Sequence, residues 1–164
     1  MVRPARSGQT RIGPCFPTFL KSAVMTADCW QKISITKTQE QELHTEFVRG
    51  GIEKAVMQLV KMEPAADAVL AFSVGSSIAW KACLAGWKVP ELFLVSGTRL
   101  RLEEQLPPAN VHLLYGAEDS FRPREHWFRQ LVLTAEIIPG QPHELYADPE
   151  VSSRLSKKIR ALMG

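Results

Sequence analysis

The chain has 164 residues, of which 45% are hydrophobic and 23% are charged, and its formal net charge is +3. This composition predicts one globular domain that buries a core, and the scattered basic residues argue against a nucleic-acid-binding face. The three cysteines show no CxxC or Cys/His spacing, which excludes a typical disulfide framework or zinc site. No apolar run is long enough to span a membrane. We therefore expect a cytoplasmic protein without nucleic-acid or membrane partners.

The N-terminal residues differ in composition from the rest of the chain. Arginine and lysine occur there, but no acidic residue precedes Asp28. This composition indicates an N-terminal extension over residues 1–30 that is poorly ordered by itself, although an arginine-rich transit peptide has a similar composition. We assign residues 31–164 to the folded domain.

The domain is predicted to begin with a strand and an interrupted helix. Alternating apolar residues predict a short strand over Lys32–Thr38. Thr38 and Gln41 then form a capping-box pattern, which opens a helix that runs towards Met62. The pair Gly50-Gly51 is expected to kink this helix or divide it in two, because glycine destabilises a helix interior.

From Asp67 onwards, strand and helix patterns alternate to the end of the chain. Strands are predicted at 67–73, 91–97, 111–116 and 135–140, and helices at 76–86, 123–131 and 149–162. The first of these strands is apolar throughout, as expected of a strand buried on both faces of a parallel sheet. The order predicts an α/β three-layer sandwich, a mainly parallel sheet with helices on both faces.

Three residues with catalytic side chains follow separate strands. Ser73 ends the first apolar run, Asp119 follows the strand at 111–116, and His143 follows the strand at 135–140. The carboxyl ends of parallel strands lie at one edge of a sheet, where reactive groups gather. A serine hydroxyl attacks efficiently when an imidazole takes its proton and a carboxylate orients that imidazole. Of the four histidines, only His143 lies in a loop directly after a predicted strand.

The stretches that carry these residues resemble the α/β-hydrolase family. "AFSVGSS" resembles the nucleophile elbow, Gly-x-Ser-x-Gly, with Ala71 in place of the first glycine and Gly75 as the second. "YGAEDSFRP" resembles the segment with the triad acid, and "IIPGQPHELYADPEVSSRLSKKIRALM" resembles the segment with the triad histidine. The resemblance covers roughly residues 67–163.

The resemblance implies a small serine hydrolase that cleaves an ester or thioester without metal or organic cofactor. Ser73 would be the nucleophile, His143 the base, Asp119 the acid that orients it, and the Val74 amide an oxyanion donor. Two alternatives stay open for single roles. A shifted frame, Gly-x-Ser-x-Ala, would make Ser77 the nucleophile, and Glu118 lies beside Asp119.

The resemblance fails in the first third of the chain. The family has more sheet before the elbow and an early loop that supplies the second oxyanion amide, but neither is recognisable between Met1 and Lys32. We therefore predict an α/β-hydrolase-like fold that lacks the usual first strands. The sheet edge left open would be covered by the N-terminal segment or by a partner chain, as in a homodimer. A catalytically inactive binding or interaction module is the alternative function.

One stretch is a candidate lid or pocket loop, "SGTRLRLEEQLPPA", at residues 96–109. Arg99 and Arg101 in this loop would suit an anionic group, whereas exposed loop arginines ordinarily face water.

Overall fold

The computed structural model describes residues 22–25, 50–63 and 65–163. Five strands within these ranges form one parallel sheet, in the order β1 to β5. The strands are β1 Ser22–Met25, β2 Ala68–Phe72, β3 Glu91–Val95, β4 Asn110–Gly116 and β5 Ala135–Ile138. The helices are α1 Ile52–Met62, α2 Val74–Leu84, α3 Glu125–Gln130 and α4 Pro149–Met163, with short 3₁₀ turns at Leu100–Leu102 and Leu145–Ala147.

Helices cover both faces of the sheet, which confirms the predicted three-layer sandwich. On one face, side chains of α1, α2 and the end of α3 pack with alternate residues of β2, β3 and β4. On the other face, α4 packs against the intervening strand residues. Strands β2 and β3 are therefore buried on both sides, which explains their continuous apolar sequences. A large apolar side chain that is fully buried in this way contributes about 1.5–3 kcal/mol.

The first strand was not predicted, and it lies inside the segment interpreted as an N-terminal extension. Ser22–Met25 pairs in parallel with β2, with Met25 beside Ala71. The predicted boundary at residue 30 therefore lies beyond the first strand of the sheet. Four residues are too few to show an alternating pattern, and their pairing with β2 is a long-range contact that local sequence does not reveal. The strand predicted at Lys32–Thr38 and the cap predicted at Thr38 lie outside the described residues.

The helix predicted to run towards Met62 is described from its glycine pair onwards, and its predicted first part from Thr38 lies outside the described residues. Helix α1 begins at Ile52, directly after Gly50-Gly51, and Gly50 has a φ of +106°. A side chain rarely adopts this backbone conformation, so glycine is suited to the position. None of the helices in the described part of the chain is long and apolar enough to cross a membrane.

A strained residue lies two positions after the end of helix α3, which gives a test of local stability. Val132 has a φ of 54° and is 90% exposed. The next amide, that of Leu133, donates to the Phe128 carbonyl at 2.8 Å, a closure in which glycine is strongly preferred. Val132→Gly is expected to raise the free energy of unfolding by about 0.5–1 kcal/mol, because the strain is relieved at a small cost in chain entropy. Urea unfolding measures the change. Val132→Ala is the control, because it keeps a Cβ atom and therefore the backbone strain. If Val132→Gly raises the free energy of unfolding no more than Val132→Ala does, the strain at this position is not the cause.

Candidate active site

Ser73 lies in a tight turn between β2 and α2. Its backbone has φ 48° and ψ −125°, a strained conformation that costs of the order of 1–3 kcal/mol and persists only where surrounding contacts fix it. Its N–H donates to the Val95 carbonyl at 3.0 Å, and its carbonyl accepts from the amides of Ser76 (3.1 Å) and Thr98 (3.3 Å). These bonds hold the turn so that the Ser73 side chain points out of the sheet edge.

The structure brings Ser73, His143 and Asp119 together in one hydrogen-bonded series. The Ser73 hydroxyl lies 3.1 Å from Nε2 of His143, and Nδ1 of His143 lies 3.0 Å from Oδ2 of Asp119. The Asp119 side chain is fully buried, and that of His143 is 14% exposed. When Nδ1–H donates to the carboxylate, Nε2 has a free lone pair, which accepts a hydrogen bond from the Ser73 hydroxyl.

The second carboxylate oxygen of Asp119 is fixed by the backbone. The Phe121 amide donates to Oδ1 at 2.8 Å, and the Arg122 amide donates to the Asp119 carbonyl at 3.1 Å. Oδ1 is thus occupied by a donor and Oδ2 is directed at the imidazole. The carboxylate therefore has one orientation, which sets the tautomer of His143.

The loop that carries His143 is fastened at both of its ends. The Glu118 amide donates to the Gln141 carbonyl at 3.1 Å, and the Gln141 side-chain amide donates to Oδ2 of Asp148 at 3.0 Å. Asp148 also caps α4 through the Glu150 amide, at 2.8 Å. Hydrogen bonds from the amides of Glu150 and Val151, and then from Gln141, lower the pKa of Asp148. The capping carboxylate therefore keeps its charge and positions the His143 loop on α4.

Gly116 allows this loop to approach β4. A Cβ atom at Gly116 would overlap the Gln141 carbonyl, lying 2.6 Å from its carbon atom. Only a residue without a side chain permits the backbone of the His143 loop to lie against the end of β4. Sequence reasoning missed this role, because Gly116 is an ordinary strand-ending glycine until the distant loop is in place.

Two aromatic rings lie against the imidazole. The ring of Phe121 meets His143 edge-on with centroids 5.1 Å apart, and that of Tyr146 lies 6.2 Å away in a similar arrangement. Phe121 is 41% exposed and so forms part of the surface beside the site. These rings restrict the access of water to His143 and hold its plane.

The loop at 96–109, predicted as a lid or pocket loop, is held by hydrogen bonds from side chains of α2, α3 and β4. The indole N–H of Trp80 donates to the backbone carbonyl of Gln105 at 3.2 Å, and that of Trp127 donates to the backbone carbonyl of Glu103 at 2.8 Å. The Tyr115 hydroxyl donates to Gly97 at 3.0 Å, and burial raises the pKa of Tyr115 far above its ordinary value, so the hydroxyl keeps its proton. The loop is therefore a fixed wall beside Ser73. The sequence alone gives no sign that these two tryptophans hold the loop.

The alternative site residues lie in other surroundings. Ser77 is fully buried inside α2, and its hydroxyl donates to the Thr98 carbonyl. The Glu118 side chain is exposed.

Val74 is the first residue of α2, so its N–H has no acceptor within the helix and is available beside Ser73. Cys83 is buried, which raises the pKa of its thiol to about 11. The described residues hold no cluster of three or more His, Cys, Asp or Glu side chains suited to a metal ion.

Comparison with known proteins gives likenesses of structure alone. No protein-family model and no curated protein matches the sequence. A predicted CIB-like hydrolase from Thermoplasma acidophilum has a TM-score of 0.55 at 16% identity, over 71% of this chain and 62% of the other. A monoacylglycerol lipase from Paleococcus ferrophilus has a TM-score of 0.54 at 14% identity, over 68% of this chain and 74% of the other. A structure from a study of carboxylesterases of Nitrososphaera gargenis has a TM-score of 0.52 at 10% identity, over 68% and 72%.

These likenesses confirm the predicted fold class. The chain has an α/β-hydrolase fold, and it spans less than two thirds of the length of the Thermoplasma hydrolase. Neighbours with this fold are hydrolases, lipases and esterases by their names. A fold hosts several chemistries, so the reaction has to be argued from the site.

Proposed function

We propose that the protein is a serine hydrolase that cleaves a carboxylic ester or thioester through an acyl-enzyme on Ser73. The observation that carries the proposal is the hydrogen-bonded series from Ser73 through His143 to the buried Asp119. The strained turn at Ser73 supports it, because such strain occurs at functional sites. The lipase and esterase names among the structural neighbours agree with this reaction class.

In the first half of the reaction, the substrate acylates Ser73. Its Oγ attacks the carbonyl carbon while its proton passes to Nε2 of His143. The carbonyl π electrons move to the oxygen and give a tetrahedral oxyanion. When the oxyanion re-forms the carbonyl, the bond to the alcohol or thiol breaks, and the leaving group takes the proton from Nε2. Asp119 stabilises the positively charged imidazole and keeps its tautomer.

In the second half, water releases the acyl group. Nε2 of His143 takes a proton from a water molecule as its oxygen attacks the acyl carbon. Collapse of this second oxyanion breaks the bond to Ser73, whose Oγ takes the proton back, and the carboxylic acid leaves. All protons are exchanged among Ser73, His143, the leaving group and water.

The first N–H of α2 supplies one donor to the oxyanion. The Val74 amide lies at the positive end of the helix and directly follows the nucleophile. One such donor contributes about 2.7–4 kcal/mol of barrier. The position of strand β1 bears on where a second oxyanion donor would lie. Met25 pairs with Ala71 in parallel, so β1 ends at the edge that holds Ser73, which is where the family's early loop supplies its second amide.

A fluorophosphonate probe tests the proposal. An activated Ser73 is expected to displace fluoride and form a P–O bond, which adds one phosphonyl group per chain (the probe mass less HF), located by peptide mass spectrometry. Ser73→Ala is expected to abolish this label. Ser153→Ala is the matched control, since Ser153 is an exposed serine on α4, and its label should stay complete.

The proposal is wrong if the probe does not label the wild-type protein and the protein also fails to hydrolyse short acyl esters. This outcome would favour the alternative from the sequence, a catalytically inactive module with the same fold.

A cytoplasmic location and a homodimer across a sheet edge remain predictions of the sequence.

A further inference from the structure

A cavity of about 150 Å³ lies beside the candidate site, between α1, α2 and the loop at 96–109. We call it the Arg99 cavity. A space of this size holds several water molecules. Ile52 and Leu102 supply apolar walls, and its polar walls are formed by Glu53, Ser77, Lys81, Arg99 and Glu103. A small ligand with one polar end would fit such a space.

The Arg99 cavity is close to the nucleophile. Ser77, in its wall, lies four residues after Ser73, in the first turn of α2. On the other side, the Thr98 amide donates to the Ser73 carbonyl at 3.3 Å, and Arg99 is the next residue. Both α2 and the loop therefore lead from Ser73 to the wall of the cavity.

The charges around the cavity leave one cation without a counter-ion. Lys81 pairs with Glu103 at 3.4 Å, and the Glu103 side chain is only 12% exposed. Glu53 is exposed in the first turn of α1, where water screens its carboxylate. Among the described residues, no carboxylate lies within ion-pair distance of Arg99.

The backbone of Arg99 is itself unusual. Its φ of 63° and ψ of −5° place it in the left-handed region, which glycine and asparagine adopt more easily than arginine. The side chain is half-buried in the cavity wall. A residue that is strained, charged and unpaired in a cavity wall indicates a role in binding rather than in packing.

We propose that Arg99 binds a carboxylate of the substrate, so that the hydrolase acts on esters whose acyl chain ends in a second, negatively charged group. The planar guanidinium forms two parallel hydrogen bonds with a carboxylate. The inference rests on the proposed function, because the ester carbonyl has to lie at Ser73 while the carboxylate lies in the Arg99 cavity. An acyl chain of about five carbons extends over about one helical turn, and the cavity wall begins one turn of α2 after Ser73.

Two matched esters test this specificity. One is the mono-p-nitrophenyl ester of glutaric acid, and the other is p-nitrophenyl 5-methylhexanoate, in which an isopropyl group replaces the carboxylate. Wild-type protein is expected to show a KM for the glutarate ester at least about tenfold lower than for the neutral ester, as one charge-assisted bond implies. Arg99→Asn removes the charge and suits the left-handed backbone, and it should abolish this preference.

Three further variants check the sign and the location of the effect. Arg99→Lys should restore part of the preference, because it keeps the charge but loses the bidentate geometry. Glu53→Gln should strengthen the preference, because it removes the negative charge at the mouth of the cavity. Arg129→Gln is the matched control, since Arg129 is an exposed arginine on α3, and it should retain the wild-type preference.

Calorimetric titration with glutarate separates failure of this inference from failure of the proposed function. Hydrolysis of both esters with equal KM values and no Arg99-dependent binding of glutarate would overturn the carboxylate site and leave the hydrolase intact. Glutarate binding that Arg99→Asn abolishes, in a protein that hydrolyses neither ester, would support the anion site and overturn the hydrolase. Failure of both measurements would overturn both.

Discussion

Asp119→Asn is expected to lower kcat for ester hydrolysis by about 10⁴-fold while the protein stays folded. The reason lies in how the carboxylate is held. The Phe121 amide donates to Oδ1, so the carbonyl oxygen of an asparagine would occupy that position and its NH₂ group would face His143. Nδ1 would then have to accept a hydrogen bond, and the proton would move to Nε2. An imidazole with a proton on Nε2 cannot take the proton of Ser73.

The control for this variant lies next to it in the sequence. Glu118 is an alternative acid by sequence, but its side chain is exposed, and Glu118→Gln should leave kcat unchanged. Steady-state hydrolysis of a p-nitrophenyl ester measures both variants, and thermal unfolding shows that each is folded. Retention of kcat within about tenfold by Asp119→Asn, together with a large loss in Glu118→Gln, would transfer the orienting role to Glu118.

Much of the sheet and of the candidate site could be predicted from the sequence, because both depend on local patterns. Buried parallel strands have continuous apolar sequences, and residues after such strands meet at one edge. These two rules were enough to propose Ser73, Asp119 and His143 as neighbours. The distances between their side chains agree with that proposal, while their roles in a reaction stay with the proposed function.

The features that escaped prediction depend on long-range contacts. Strand β1 has four residues and is specified by its pairing with β2. Trp80 and Trp127 are apolar residues by sequence, and only the fold shows that their N–H groups hold the loop at 96–109. The lid-like composition of that loop gave no sign of these anchors. Local sequence patterns were thus enough to locate the candidate reactive residues. The residues that hold the surrounding loops in place became visible only in the tertiary structure.

Gly116 is the support for which we expect the largest effect. Gly116→Ala should lower the free energy of unfolding by about 3 kcal/mol, because the new Cβ atom meets the rigid backbone of Gln141 rather than a flexible side chain. The loop has to move away from β4, and His143 lies only two residues after Gln141. A displacement of about 1 Å would lengthen the bonds to Ser73 and Asp119 and lower kcat/KM by about a hundredfold.

Gly140→Ala provides the comparison within the same loop. A Cβ atom at Gly140 meets no atom within 4 Å, although the φ of +69° strains any side chain there. This variant should cost about 1 kcal/mol through backbone strain alone, and its kcat/KM should stay near that of the wild type. Urea unfolding and steady-state kinetics on the two variants separate the contact from the strain. Equal stability losses with equal retained activity would show that the approach of the His143 loop to Gly116 does not position the histidine.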